Sequence, residues 1–323
     1  MTHPVHLPAL DGRDPLGFLA ALGVLRLLTD HDHPGTLLSF DPQTATAIIH
    51  SGHPDIDTIV TALGGIVSST SEHAAIPGVP DDFPPANPGT GGDPLRVPRH
   101  AYNAKAITLN DQDTTGRAHA WHGALVTDLA VDDRGRCRPT PYTAPAGQQA
   151  LRTFFHKPLT AVRRHPPALK EALTGWRRID RLPRLDILTG ESLDHRAIRD
   201  AVDQPDGESR PSAVPGATWL ATMALPLLRL TSTGARRTAT CWYELPGQGT
   251  EIMIWPLWRP PLDTHATQAL LEHPAIRPEV IDAVPTASLT RLRPLGVITI
   301  AAARRLAKAK SDGELAPTSI QIT

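Results

Sequence analysis

Large rings are scarce in this chain: Phe, Trp and Tyr make up 4 % of its 323 residues, although 40 % of residues are hydrophobic. Core burial must rest on Ala, Leu, Val and Ile, and surfaces able to stack against bases are few. Cysteine is scarcer still. Cys137 and Cys241 stand far apart in unlike contexts, which gives neither a disulfide framework nor a CxxC metal or redox pattern and reads as a reducing compartment. The longest apolar stretch, residues 15–28, contains Arg26 and is too short to cross a bilayer. The N-terminus lacks the charged region of a secretory signal. A cytoplasmic protein with no membrane partner is expected.

Nucleotide and hydrolase signatures are missing too. There is no GxxxxGK[ST], no GxSxG, and no GxGxxG following a strand, so phosphate-loop and serine-hydrolase chemistry have no anchor. The expectation is a chain that is not an enzyme and needs no cofactor and no metal.

What is present is an uneven charge. The formal net charge is −1, yet residues 1–110 hold 5 basic and 11 acidic side chains, a balance of −6. Between 134 and 184 stand 12 Lys or Arg against Glu171 and Asp180, a balance of +10. A second run comprises Arg291, Arg293, Arg304, Arg305, Lys308 and Lys310, with no acid before Asp312. Arginine dominates both, and its planar guanidinium holds phosphate in a bidentate fork. Arg152, Lys157, Arg163, Arg164, Arg177, Arg178, Arg181, Arg304, Arg305 and Lys308 are therefore the candidate nucleic-acid contacts. The competing interpretation is a solvated basic surface. Phe154, Phe155 and Trp176 lie in the first run, where stacking on bases competes with core burial.

Local patterns give a mixed α+β chain of helices and short antiparallel hairpins. Asp14 can cap and Pro15 can start a helix over 15–29, whose Gly17, Ala20, Ala21 and Gly23 make it thin enough for close approach by a neighbour. Residues 36–40 and 44–50 form a hairpin, and 54–69 a second helix. This small helix-hairpin-helix domain (1–75) precedes an exposed linker or long loop, where 76–98 holds seven prolines and four glycines. A larger basic α+β domain (99–323) follows. In it, a hairpin turns at Asp132-Asp133-Arg134-Gly135 between 120–131 and the tract after 136. Helices fall at 146–155, 166–173, 192–202, 219–230, 264–271 and 277–283, and another hairpin joins 241–245 to 251–255. A final helix over 294–310 would gather Arg304, Arg305 and Lys308 on one basic face, although 297–300 also suits a strand.

Fifteen histidines invite a metal test. His31-Asp32-His33 follows a helix end, where such side chains satisfy carbonyls, and His50 with His53 lacks carboxylates at fixed spacing. His119, His122 and Asp128 are the set that would serve a metal-dependent nuclease. Trp255-Pro256-Leu257-Trp258 reads as a packing corner whose indole N–H groups each need one acceptor, with partner docking as the alternative.

The opening Leu10-Asp11-Gly12-Arg13-Asp14-Pro15-Leu16-Gly17-Phe18-Leu19-Ala20-Ala21-Leu22-Gly23-Val24-Leu25-Arg26 resembles the N-terminus of large-subunit-like proteins from type I CRISPR effector complexes, subtype I-G (formerly I-U). Gly147-Gln148-Gln149, Gly216-Ala217-Thr218-Trp219-Leu220-Ala221 and Ile254-Trp255-Pro256-Leu257-Trp258 echo the same family in chain order. The resemblance implies a non-enzymatic subunit of an antiviral interference complex. Such a subunit assembles with other effector subunits on a guide RNA, contacts target DNA, and leaves cleavage to a separate helicase-nuclease. In complexes of this kind pairing reads the sequence while protein grips the backbone. This chain is shorter than the usual large subunits, and no residue that reads a target-adjacent motif carries over. A metal-dependent nuclease and a scaffold that binds only protein, with its acidic front half docking a basic partner, are the alternatives.

Overall fold

A computed structural model describes residues 2–86, 93–112, 115–143, 150–178, 193–196, 213–234, 236–245, 250–281, 284–307 and 312–323. The fold is α+β: 38 % of the described residues are helical and 28 % are in strands. Among the described residues, no helix is long and apolar enough to cross a membrane.

The first part is built around a buried helix. Strand β1 (His3–Asp11) leads into α1 (Pro15–His31), followed by β2 (Leu37–Phe40), β3 (Thr46–Ser51) and α2 (Ile56–Ser69). The Asp14 carboxylate accepts from the amides of Leu16 (3.0 Å) and Gly17 (3.3 Å), and Pro15 takes the first helical position, where no amide is needed. Every residue from 15 to 28 is buried, Arg26 included. The expected hairpin forms, and β1 adds to it in the order β1-β3-β2, all antiparallel. Composition hid β1, because Pro4 and Pro8 disfavour strands; here they lie on an edge strand, where a missing amide is tolerated.

The remainder runs α3 (Arg99–Gln112), α4 (Arg117–Leu125), β4 (Val126–Val131), β5 (Cys137–Pro139), α5 (Leu151–Arg164), α6 (Ala168–Thr174) and α7 (Pro215–Met223). Next come β6 (Leu230–Thr233), β7 (Arg236–Ala239), β8 (Trp242–Glu244), β9 (Glu251–Trp258), α8 (Thr264–Leu271), β10 (Glu279–Ile281) and β11 (Val284–Ala287). The last strands are β12 (Val297–Ala307), β13 (Asp312–Pro317) and β14 (Gln321–Ile322). Six of these strands make the main sheet, in the order β13-β12-β9-β8-β7-β6.

Helix α1 sits between this sheet and α7. Its Gly23 faces α7 so closely that an added Cβ would stand 1.8 Å from the Leu220 carbonyl oxygen, and Gly216 of α7 approaches Ala168 of α6 in the same way. On its other side Phe18 stacks on Trp255 with ring centroids 5.3 Å apart. Residues from both sides of the proline-rich segment enter one core. Within 76–98, the described residues form a loop packed against that core rather than an exposed linker, since Ile76, Val79, Phe83 and Leu95 are buried.

Several expected elements differ. Residues 117–125 are helical before the β4–β5 hairpin turns at Asp132, and α3 had no periodic apolar stripe to announce it. The apolar run expected as a helix over 219–230 is helical earlier, as α7, and then turns into β6. Residues 277–281 do not begin a helix; the β-branched Val280 and Ile281 pair with Val284 and Pro285 instead. Residues 297–307 are not helical either. Val297-Ile298-Thr299-Ile300 starts a strand after Gly296, whose φ of 81° ends the preceding turn, and pairing with both β9 and β13 overrides the helix propensity of the following alanines and arginines. Most of the helix expected at 192–202, the first four residues of that at 146–155, Arg181 and Lys308 lie outside the described residues.

Two glycine substitutions test the packing. Gly23→Ala is expected to cost about 3 kcal/mol or more through overpacking against α7. Gly65→Ala in α2, where an added Cβ meets nothing within 4 Å, is expected to stabilise by about 0.5–1 kcal/mol. Thermal and urea unfolding of the two variants read both signs.

Candidate nucleic-acid interface

Three of the expected cations in the first basic run, Arg152, Arg163 and Arg178, tie the chain to itself. Arg163 of α5 reaches the chain leaving α2, donating to the carbonyls of Thr70 (2.6 Å), Ser71 (2.8 Å) and Glu72 (3.5 Å). About three turns earlier on the same helix, Arg152 donates to the Pro84 carbonyl (2.9 Å) and to that of His73. These two residues close the 70–84 loop over the core. Arg178 is 2.7 Å from the buried Asp194 carboxylate, which also receives Arg196. Arg177 is exposed, 3.9 Å from Glu171. Lys157 is half-buried on α5, and Arg164 is exposed at its last turn, where positive charge suits a helix end. Phe154 and Phe155 are core residues and Trp176 is half-buried.

The two basic runs meet elsewhere, on the main sheet. A cleft of about 1210 Å³ is bordered by β6, β7, β8, the end of β12 and the C-terminal end of α8. Seven arginines line it: Arg138 from the first run, Arg304 and Arg305 from the second, and Arg229, Arg236, Arg237 and Arg277 from between. The acids of the lining are Glu244, Glu251 and Glu272. Because β12 is a strand, Arg304 and Arg305 project to opposite faces rather than sharing one helical face, although both border the cleft.

Proline carbonyls join the runs. Residues Pro139 and Pro141 have no amide to donate, and their carbonyls accept from Arg237 (2.9 Å) and Arg305 (2.6 Å). The Tyr142 hydroxyl donates to the Thr240 carbonyl at 2.6 Å, fixing the same segment to the sheet. The Arg305 guanidinium lies 5.4 Å from the centre of the Trp242 ring, whose Nε1 donates to Glu251 at 2.9 Å. Arg138 donates from Nε to the Val131 carbonyl at 3.0 Å. A carbonyl partner fixes a guanidinium's position without cancelling its charge.

Two of these arginines pair with carboxylates of the lining: Arg229 with Glu272 at 2.8 Å, and Arg236 with Glu244. Arg277 is exposed, and Arg304 has a buried Nε with no hydrogen-bond partner. Burial pushes the hydroxyl of Tyr243, on the cleft wall, above its ordinary value. The doublet Arg236-Arg237 beside Gly234 was the available sequence signal for this site. Short, isolated doublets do not register as a run, and the strands that align them are far apart in sequence.

The histidine set is not gathered. His122 is buried and stacks on Tyr102 with centroids 4.5 Å apart, whereas His119 is exposed one turn away. Asp128 is half-buried, and its backbone carbonyl accepts from Arg99 at 2.6 Å. Among the described residues, no group of three or more His, Cys, Asp or Glu is placed to hold a metal ion. His31 closes α1, and the following Asp32 is 2.6 Å from His53.

Compared with models of protein families, the chain matches none, and no curated protein matches it.

Burial, then the nearby positive charge of Lys105 and His119, lowers the His122 pKa to about 4, and burial with Arg117 does the same for His31. Both rings are neutral in the folded protein, while the unfolded chain takes up their protons below about 6.5. Their contribution to stability is therefore whole above about 6.5 and is lost as pH falls toward 4, at no more than about 1.4 kcal/mol per pH unit for each ring. Half-exposed His31 contributes less, because water screens it. Thermal midpoints measured from pH 7 to 4 should fall, and His122→Phe, which keeps the stacking on Tyr102, should flatten that fall.

Proposed function

We propose that this chain is a non-catalytic subunit that holds the phosphodiester backbone of nucleic acid along the arginine-lined cleft of its main sheet. The observation that carries the reading is seven arginines converging against three glutamates, one of which is occupied by the Trp242 indole. Guanidinium groups anchored through carbonyls present fixed charge to a polyanion, with little side-chain entropy left to lose. The likeness of the opening run and of Ile254-Trp255-Pro256-Leu257-Trp258 to type I-G CRISPR large-subunit-like proteins supplies a setting. That setting is a cytoplasmic interference complex in which the subunit touches guide RNA, target DNA or both, and other subunits and a separate helicase-nuclease do the rest.

This reading moves the contacts from the helices to the sheet. Of the residues expected from charge runs, Arg304 and Arg305 stay in the site, joined by Arg138. Arg152, Arg163 and Arg178 are assigned to holding the fold, since their donors are already spent on carbonyls or on Asp194.

Binding to DNA and RNA across a salt series tests the proposal. Arg277→Gln with Arg304→Gln is expected to weaken binding and to reduce the log–log salt slope by about 0.7–0.9 for each phosphate that is no longer neutralised. Lys157→Gln with Arg164→Gln is expected to change neither. The opposite pattern would return the site to α5, and no binding by the wild-type chain would remove the function.

A further inference from the structure

A second concavity lies at the other end of the main sheet. Strands β9 and β12 pair antiparallel; the arginine-lined cleft borders Glu251 and Arg304 at one end of the pair, and a groove of about 720 Å³ borders Arg259 and Val297 at the other. The length of β9, about 25 Å, separates them. Four residues of the groove are prolines, Pro42, Pro260, Pro261 and Pro294, and Leu295 is 43 % exposed beside them. Its charged residues are Arg259 and Arg293, both exposed, with no acid in the described lining. Among the described residues, neither guanidinium has a hydrogen bond or an ion pair. The acids next to this lining in sequence serve backbone amides instead. Asp41 accepts from Gln43 and Thr44, both at 2.8 Å, and Asp263 from Ala266 at 2.7 Å.

Apart from the guanidiniums, the groove is poor in donors. A proline has no amide, and the amides of Arg259, Leu295 and Gly296 are spent on the carbonyls of Gly296, Leu292 and Arg293, at 3.0, 3.0 and 2.9 Å. What it offers a ligand is two uncompensated cations, apolar surface and carbonyl acceptors. Its shape is also fixed in advance, since pyrrolidine rings hold their backbone and Gly296, at a φ of 81°, packs so closely on Pro260 that a Cβ would run into that ring. We propose that this groove docks a short segment of a partner protein in which carboxylates flank an apolar side chain. The carboxylates meet Arg259 and Arg293 in charge-assisted hydrogen bonds, the apolar side chain covers Leu295 and the prolines, and the segment's own amides supply the donors that the prolines lack. A polynucleotide fits this surface less well, because a phosphodiester brings acceptors and finds few donors beyond the two guanidiniums. The proposal is independent of the polyanion reading, and its distance from the cleft leaves both sites free to be occupied together.

The test is fluorescence anisotropy of the full chain with three labelled, capped short peptides: one alternating Glu and Leu, one alternating Lys and Leu, and one alternating Glu and Ser. Wild type should bind the Glu-Leu peptide about tenfold more tightly than either of the others. Arg259→Glu with Arg293→Glu should lose that binding and gain binding of the Lys-Leu peptide, a reversal that a misfolded protein does not produce. Arg259→Gln with Arg293→Gln, expected to lower Glu-Leu affinity about tenfold, gives the answer if the charge-reversed variant fails to fold. Arg277→Gln with Arg304→Gln should leave Glu-Leu binding unchanged, which separates the groove from the cleft. The proposal is overturned if wild type does not bind the Glu-Leu peptide, if it binds the Glu-Ser peptide as tightly, or if binding survives substitution of Arg259 and Arg293 and falls with that of Arg277 and Arg304.

Discussion

Two buried indoles, Trp255 and Trp258, must each find an acceptor for a ring N–H, and both acceptors lie more than 200 residues away along the chain. Trp255 donates to the Gly12 carbonyl at 2.7 Å and Trp258 to the Leu38 carbonyl at 2.8 Å. An unpaired N–H in that environment costs about 1–3 kcal/mol, so the sheet and the N-terminal elements are bound to one relative position. Backbone hydrogen bonds between Leu38 and Leu262 run beside this contact. Strand β9 carries both indoles and also the Glu251 that receives Trp242. The constraint that seats α1 is thereby transmitted to the wall of the cleft.

The arginines divide by what their donors meet. Where a guanidinium finds two or three backbone carbonyls, as Arg163 does, it acts as a staple for chain that has left regular structure. Where it finds a carboxylate, as Arg178 does, charge is cancelled locally. At the cleft, Arg138, Arg237 and Arg305 donate to backbone carbonyls, which fix their position and leave their charge in place. A basic run in a sequence is a count of cations, and only the fold decides which of them are already engaged. Here two cations of the region richest in positive residues, Arg152 and Arg163, are occupied in closing a loop.

The parts of the fold that could be read from sequence are those set by local chemistry. The Asp14 cap with Pro15 behind it, the hairpin around Asp41, the turn at Asp132 and the close packing at Gly23 each depend on a few adjacent residues. What could not be read is set at long range. Residues 297–307 carry both helix-favouring alanines and β-branched residues, and pairing with β9 and β13 decides between them. That choice separates Arg304 from Arg305, and it brings both next to Arg138, Arg229, Arg236, Arg237 and Arg277, so the site was illegible for the same reason as the strand. The tryptophan pair was legible as a packing corner, because large indoles bury by default, but not its partners Gly12 and Leu38.

The most direct test of this division of labour is hydrogen–deuterium exchange on the full chain, with and without a saturating single-stranded oligonucleotide. Binding at the sheet predicts new protection in peptides covering 229–245 and 297–305, and unchanged exchange across 151–164. Protection confined to 151–164, with the sheet peptides unaltered, would contradict it.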